Sequence, residues 1–191
     1  MNLAALLTAC RKALLGARDW HEDIDVSHKG FLESYWAIGL SIPAYYLCAL
    51  AITAQRARVA EVDKMPLPIA LFAIAAFLYS LAFSASAYVI CRAFKKEPQF
   101  KPWVILRHWS IFFCVLLAAS LYGLFLLGVL PFAIANYAAL GIYLATLGID
   151  IRLAQRLGQF DLTAAIFTAC LIFAMGLSVL LIGVVQIGGR L

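Results

Sequence analysis

The chain is poor in charge. Only 13% of its 191 residues are Asp, Glu, Lys or Arg, while 65% are hydrophobic; soluble domains carry about 25% charge and about 45–50% apolar residues. That deficit excludes an ordinary water-soluble globule. Regular apolar/polar alternation is also missing, which excludes the strands of a membrane β-barrel and leaves helices as the elements able to satisfy their own backbone in lipid. The five cysteines, Cys10, Cys48, Cys91, Cys114 and Cys170, show no CxxC or other paired spacing. They support neither a disulfide framework nor a zinc site and read as small packing residues. No HExxH, GxSxG, P-loop or Gly-rich phosphate cradle occurs, so no catalytic set and no cofactor are implied. No linker, repeat or second domain interrupts the chain.

What is present is a series of long apolar runs. The fold class they define is an all-α membrane protein, with five transmembrane helices preceded by a short interfacial amphipathic helix. The spans are expected at about 31–54, 67–92, 103–130, 131–156 and 163–187, forming one domain over 31–191. From Trp103 to Leu130 the only basic residues are Arg107 and His108, and from Pro131 to Ile149 there is no charge at all. These two runs form a hairpin joined at Leu130-Pro131. Pro43 should kink the first span, and Pro66 and Pro68 suit the opening turn of the second. Small residues Ser80, Ala82, Ser84 and Ser86 on the second span, and Gly141 and Ala145 on the fourth, allow close helix approach.

Residues 1–30 form a cytoplasmic amphipathic helix and polar entry segment. Leu3, Leu6, Leu7, Cys10 and Leu14 recur at helical spacing, with Arg11, Lys12 and Arg18 off that stripe or just beyond it, the pattern of a helix lying in the interface. Residues 17–30 are the only strongly polar stretch. His21, Asp25 and His28 are the weak candidates for a metal site there, but Asp25-x-Ser27 ahead of an apolar run reads better as a helix cap.

Positive charge sets orientation. With the N-terminus and the second and fourth connections on one side, eleven of the 15 basic residues fall there, which places the N-terminus in the cytoplasm and the C-terminus outside. The basic loop with Arg92, Lys95, Lys96 and Lys101 is a candidate for anionic lipid headgroups, each residue contributing about 1 kcal/mol. The basic excess reports topology; no nucleic-acid partner is implied.

That orientation puts Arg107, at the start of the third span, on the same side as Asp150, at the end of the fourth. Counted from Pro131, their depths differ by about 7–8 Å at 1.5 Å per residue, within reach of an arginine side chain. A structural ion pair of Arg107 and Asp150, with Arg152 and Glu33 nearby, is preferred over a proton or ion relay.

The stretch Asp25-Val-Ser27-His-Lys-Gly30-Phe31-Leu-Glu-Ser34 resembles the start of small uncharacterised bacterial integral membrane proteins that share a D-x-S-x-x-G-F-x-x-S entry. The layout as a whole is similar to that of the Yip1-like five-span membrane proteins, without the D-L-Y-G-P and G-Y motifs of the eukaryotic members. Residue roles are not carried over from either. The expected function is that of a non-enzymatic, multi-pass protein of a bacterial inner membrane, an accessory or scaffold component of a larger assembly; the alternative is a small oligomeric transporter or channel. The partners expected are the lipid bilayer and other membrane subunits or further copies of the chain.

Overall fold

A computed structural model describes residues 2–61 and 69–188. In it helix α1 spans Leu3–Leu15, α2 His28–Ser34, α3 Trp36–Ala60, α4 Ile69–Ala93, α5 Glu97–Leu126, α6 Phe132–Arg156 and α7 Leu162–Gly188. A single 3-10 turn, Trp20–Asp23, links α1 to α2. No strand occurs among the described residues.

Four of these stretches are long and apolar enough to cross a membrane: His28–Ala60 (α2 and α3 taken together), Ala76–Ala93, α5 and α6. Helix α7 is 27 residues long, and its stretch Leu162–Ser178 is apolar but shorter than a span. The expected start of the second span at 67–68, with Pro66 and Pro68, lies outside the described residues. Pro43 sits inside α3, whose helix continues on both sides of it.

The third span differs most from expectation. It starts six residues before Trp103, with Pro98 in the first turn where a missing N–H is harmless, and it ends at Leu126 rather than Leu130. The reason is Gly128. Its φ of +75° is the left-handed conformation that closes a helix C-terminus: its N–H bonds Phe125 O at 2.9 Å, and Val129 N–H bonds Leu124 O at 2.9 Å. The hairpin turn is therefore residues 127–131, not a two-residue joint. Beyond it, Phe132 packs edge-on against Phe125, and Tyr122 Oη donates to Asn136 Oδ1 at 2.9 Å.

Helix α5 is the centre of the bundle, in contact with α1, α2, α3, α4 and α6, while α7 packs on α4 and α6. Its segment Trp103–Ser110 is buried without interruption, so this part of α5 has protein on all sides.

Helix α1 divides its apolar residues between two faces. Leu6, Ala9, Cys10 and Ala13 are buried, and Cys10 and Leu6 belong to the same core as Leu106 and Trp109; Leu3, Leu7 and Leu15 face outward. The single stripe read from spacing is in fact an inner seam and an outer one. The helix ends at Gly16, whose φ is +85°. That conformation favours glycine, and the Arg156 guanidinium packs against the open side of the residue.

Candidate functional site: a buried polar centre on helix α5

Two adjacent residues of α5, Arg107 and His108, carry polar chemistry into the apolar core. Arg107 Nε lies 2.9 Å from Asp150 Oδ1, and each side chain is 1% exposed. Its Nη2 also donates to Asp150 Oδ2 at 3.4 Å and to Tyr79 Oη at 2.9 Å. The guanidinium lies 4.0 Å from the centroid of Phe83 and 5.1 Å from that of Tyr79, where aromatic faces attract a cation. A buried arginine needs its charge balanced and its donors engaged; Asp150 of α6 balances the charge and, with Tyr79 of α4, takes the bonds of Nε and Nη2, which ties three helices at one level.

Tyr79 reaches Arg107 because Gly176 of α7 leaves room. A Cβ at Gly176 would overlap the edge of the Tyr79 ring, so α7 contributes to the centre by lacking a side chain.

His108, 3% exposed, faces the other way. Ser34 Oγ donates to Phe31 O at 2.7 Å, which uses its only proton. It can therefore only accept from His108 Nδ1, 3.0 Å away. This assigns the proton of the neutral ring to Nδ1 and leaves a lone pair on Nε2. Tyr35 packs edge-on against the imidazole with ring centroids 4.7 Å apart, and its hydroxyl donates to Ser84 Oγ at 2.9 Å.

Ser34 is placed by the entry segment. Asp25 Oδ1 accepts the Ser27 N–H at 2.8 Å. Ser27 then caps α2 by accepting the Gly30 N–H at 3.3 Å. Gly30 is buried, and an added Cβ would overlap the Asp25 carbonyl. Phe31 packs against Tyr35 and Phe100, and Ser34 ends the run on His108. Asp25, Ser27, Gly30, Phe31 and Ser34 thus each have a local task, and the last of them orients the imidazole.

The other residues singled out in the sequence lie apart from this centre. Glu33 is exposed and pairs loosely with Lys29 at 3.8 Å, and Arg152 is exposed on α6; neither joins the Arg107 pair. His21 and His28 are exposed, His28 stacking on Phe31, and the Asp25 carboxylate is engaged by the Ser27 N–H. Among the described residues no three His, Cys, Asp or Glu side chains come together as a metal site. In the basic loop, Arg92, Lys95 and Lys101 are exposed. Lys96 instead donates to Gly158 O and to Gln159 O, the latter at 2.8 Å, and its ammonium lies 4.6 Å from the Phe160 ring centroid. It closes the end of α6 rather than facing outward.

Sequence reasoning missed Tyr79, Gly176 and Ser34. A signal existed only for Ser34: a histidine within an apolar run needs a partner at its own depth, and the polar start of the first span supplies one.

Fold and centre together define an all-helical protein whose apolar helices mark it as membrane-associated, with an ion pair and a histidine in its core. No protein-family model matches the chain, and no curated protein or solved structure shows a significant similarity to it.

Proposed function

We propose that the chain is a multi-pass protein of a bacterial inner membrane that serves as an accessory or scaffold subunit of a larger membrane assembly, without catalysis of its own. In this reading α7 crosses as a fifth span and α1 lies in the cytoplasmic interface with Leu3, Leu7 and Leu15 toward lipid. Arg92, Lys95 and Lys101 face the headgroups of that leaflet, in keeping with the charge asymmetry. The C-terminus lies outside.

The observation that carries the reading is the outer face of α6. Ala138, Gly141, Ala145 and Gly148 are all exposed, and apart from the chain neighbours and the helix's own backbone no described residue comes within 4 Å of a Cβ built on Gly141 or Gly148. Side chains this small gain little from contact with lipid, but they let another helix approach closely. The occupant proposed is a transmembrane helix of a partner subunit or of a second copy of this chain.

Purification in mild detergent tests this. A complex heavier than the 20.9 kDa chain is expected, and Gly141→Leu with Ala145→Leu should dissociate it while leaving the fold intact. A lone monomer from native membranes, with nothing copurifying, would overturn the reading.

The buried charges of α5 and α6 favour one second reading, a small oligomeric transporter. Asp150→Asn and Arg107→Gln would then abolish flux in vesicles. Unchanged flux would remove it.

A further inference from the structure

Among the buried side-chain atoms that have no hydrogen-bond partner among the described residues is Nε2 of His108. A buried acceptor left unpaired costs about 1–3 kcal/mol, and native interiors meet such groups with a partner or an ordered water. His108 also lines a cavity. Helices α3, α4 and α5 border a small space lined by Ser41, Tyr45, Ser80, Arg107 and His108 together with apolar side chains such as Phe112. Ser34, which occupies the Nδ1 edge of the ring, does not line it.

We propose that this cavity is a binding site for one small neutral hydrogen-bond donor, a single water molecule, held on Nε2 of His108. Three features select the ligand. The volume, about 10 Å3, is about the room that one water needs. The lone pair fixed by Ser34 demands a donor. Arg107, which faces the same space, opposes a cation, and its own charge is already balanced by Asp150, so no anion is called for. The remaining bonds of the water fall to hydroxyls: Ser41 Oγ gives its proton to Ala37 O at 2.7 Å and so accepts, while Tyr45 and Ser80 line the same space. The site goes beyond the scaffold reading and does not depend on it, since it needs only the packing of α3, α4 and α5 within one chain.

Solid-state NMR on the full chain in phosphatidylethanolamine–phosphatidylglycerol vesicles tests it, with histidine and tryptophan labelled with nitrogen-15 and with His21→Gln and His28→Gln leaving His108 as the only histidine. The expected spectrum has a protonated Nδ1, an unprotonated Nε2, and transfer of magnetisation from water to Nε2. Trp103 Nε1 is the internal control, because it too is buried and unpaired but does not line this cavity; it should receive no transfer. Ser41→Leu, which fills the space, should abolish the transfer to His108 and leave the Nδ1 signal in place. No transfer in the unfilled protein, transfer equal to that of Trp103, or a proton on Nε2 would each overturn the proposal. These outcomes stand even if Ser41→Leu does not fold, and none of them bears on whether α6 binds a partner.

Discussion

Arg107 and Asp150, 43 positions apart in the chain, meet at 2.9 Å with almost no exposure to solvent. The match in depth follows from where the hairpin turns. Arg107 lies 19 residues before Leu126 and Asp150 lies 18 residues after Phe132, so at 1.5 Å per residue they differ by about 1.5 Å along the helices. Residues 127–131 add no helical rise. Removing one partner leaves the other as a buried unpaired charge, so Asp150→Asn or Arg107→Gln should each destabilise the protein by about 3–5 kcal/mol. Replacing both with apolar residues of similar volume should recover most of that loss. Denaturant unfolding in detergent micelles measures it, and a double variant as unstable as the sum of the singles would contradict a pairwise account.

This contact was half legible in the sequence. An arginine and an aspartate in otherwise uncharged spans must find partners, and charge asymmetry puts both on one side. Counting from Pro131 nevertheless gives an offset of about 7–8 Å, because the left-handed turn at Gly128 leaves no mark in the apolar pattern and residues 127–130 count as helix. Expecting Glu33 and Arg152 nearby failed for a different reason. Depth alone does not say which way a helical residue points, and these two face outward. Tyr79 and Gly176 were not legible at all, since they meet only through the register of α4 against α7, which packing decides. The entry motif was legible as a cap at Ser27; that it also seats Ser34 on an imidazole of α5 depends on tertiary contact.

The entry motif makes a prediction about a glycine. Gly30 has ordinary helical geometry, so its identity is required by the Asp25 carbonyl that occupies the place of a side chain. Gly30→Ala should destabilise by about 1–3 kcal/mol, as overpacking does, although alanine is the better helix former by about 1 kcal/mol. It should also move Ser34, so the NMR signal of His108 Nδ1–H shifts in Gly30→Ala. A stabilised variant with an unchanged imidazole would refute the role assigned to Gly30.

Charge pairs at the N-terminal segment give it a window of pH. Lys12 Nζ lies 2.7 Å from both Asp19 Oδ2 and Asp23 Oδ2. The ammonium holds the Asp19 carboxyl below its usual range, and the Ser27 N–H does the same for Asp25. Carboxyls with lowered folded values contribute stability above the unfolded value, about 3.9, and lose it as pH falls through the folded one. Lys12 is raised by Asp19 and Asp23, so its contribution is complete below the ordinary lysine value, about 10.4, and is lost as pH rises through the folded one. Hydrogen exchange over residues 17–27, corrected for its intrinsic pH dependence, should accelerate on going from pH 6 to pH 3 while α5 stays protected. Asp19→Asn with Asp23→Asn should raise exchange at pH 6 and shrink the further change on acidification. Equal protection at both pH values would show that these pairs do not hold the segment.

The most distant support of the polar centre is testable through a coupling. Gly176 has no side chain and lies on α7, yet the Tyr79 ring occupies the space where one would be, and the hydroxyl of that ring reaches Arg107. In Gly176→Ala the added methyl must displace either the ring or the helix. Either movement weakens a hydrogen bond to a buried charge, so a loss of about 1–3 kcal/mol is expected. The same substitution in a Tyr79→Ala background meets no ring and breaks no such bond, so there its effect should fall to a few tenths of a kcal/mol, the level at which independent sites normally add. The difference between the two backgrounds isolates the contact from any general intolerance of α7 to substitution. Equal losses in both backgrounds would mean that Gly176 is needed for some other packing and that Tyr79 finds Arg107 without its help.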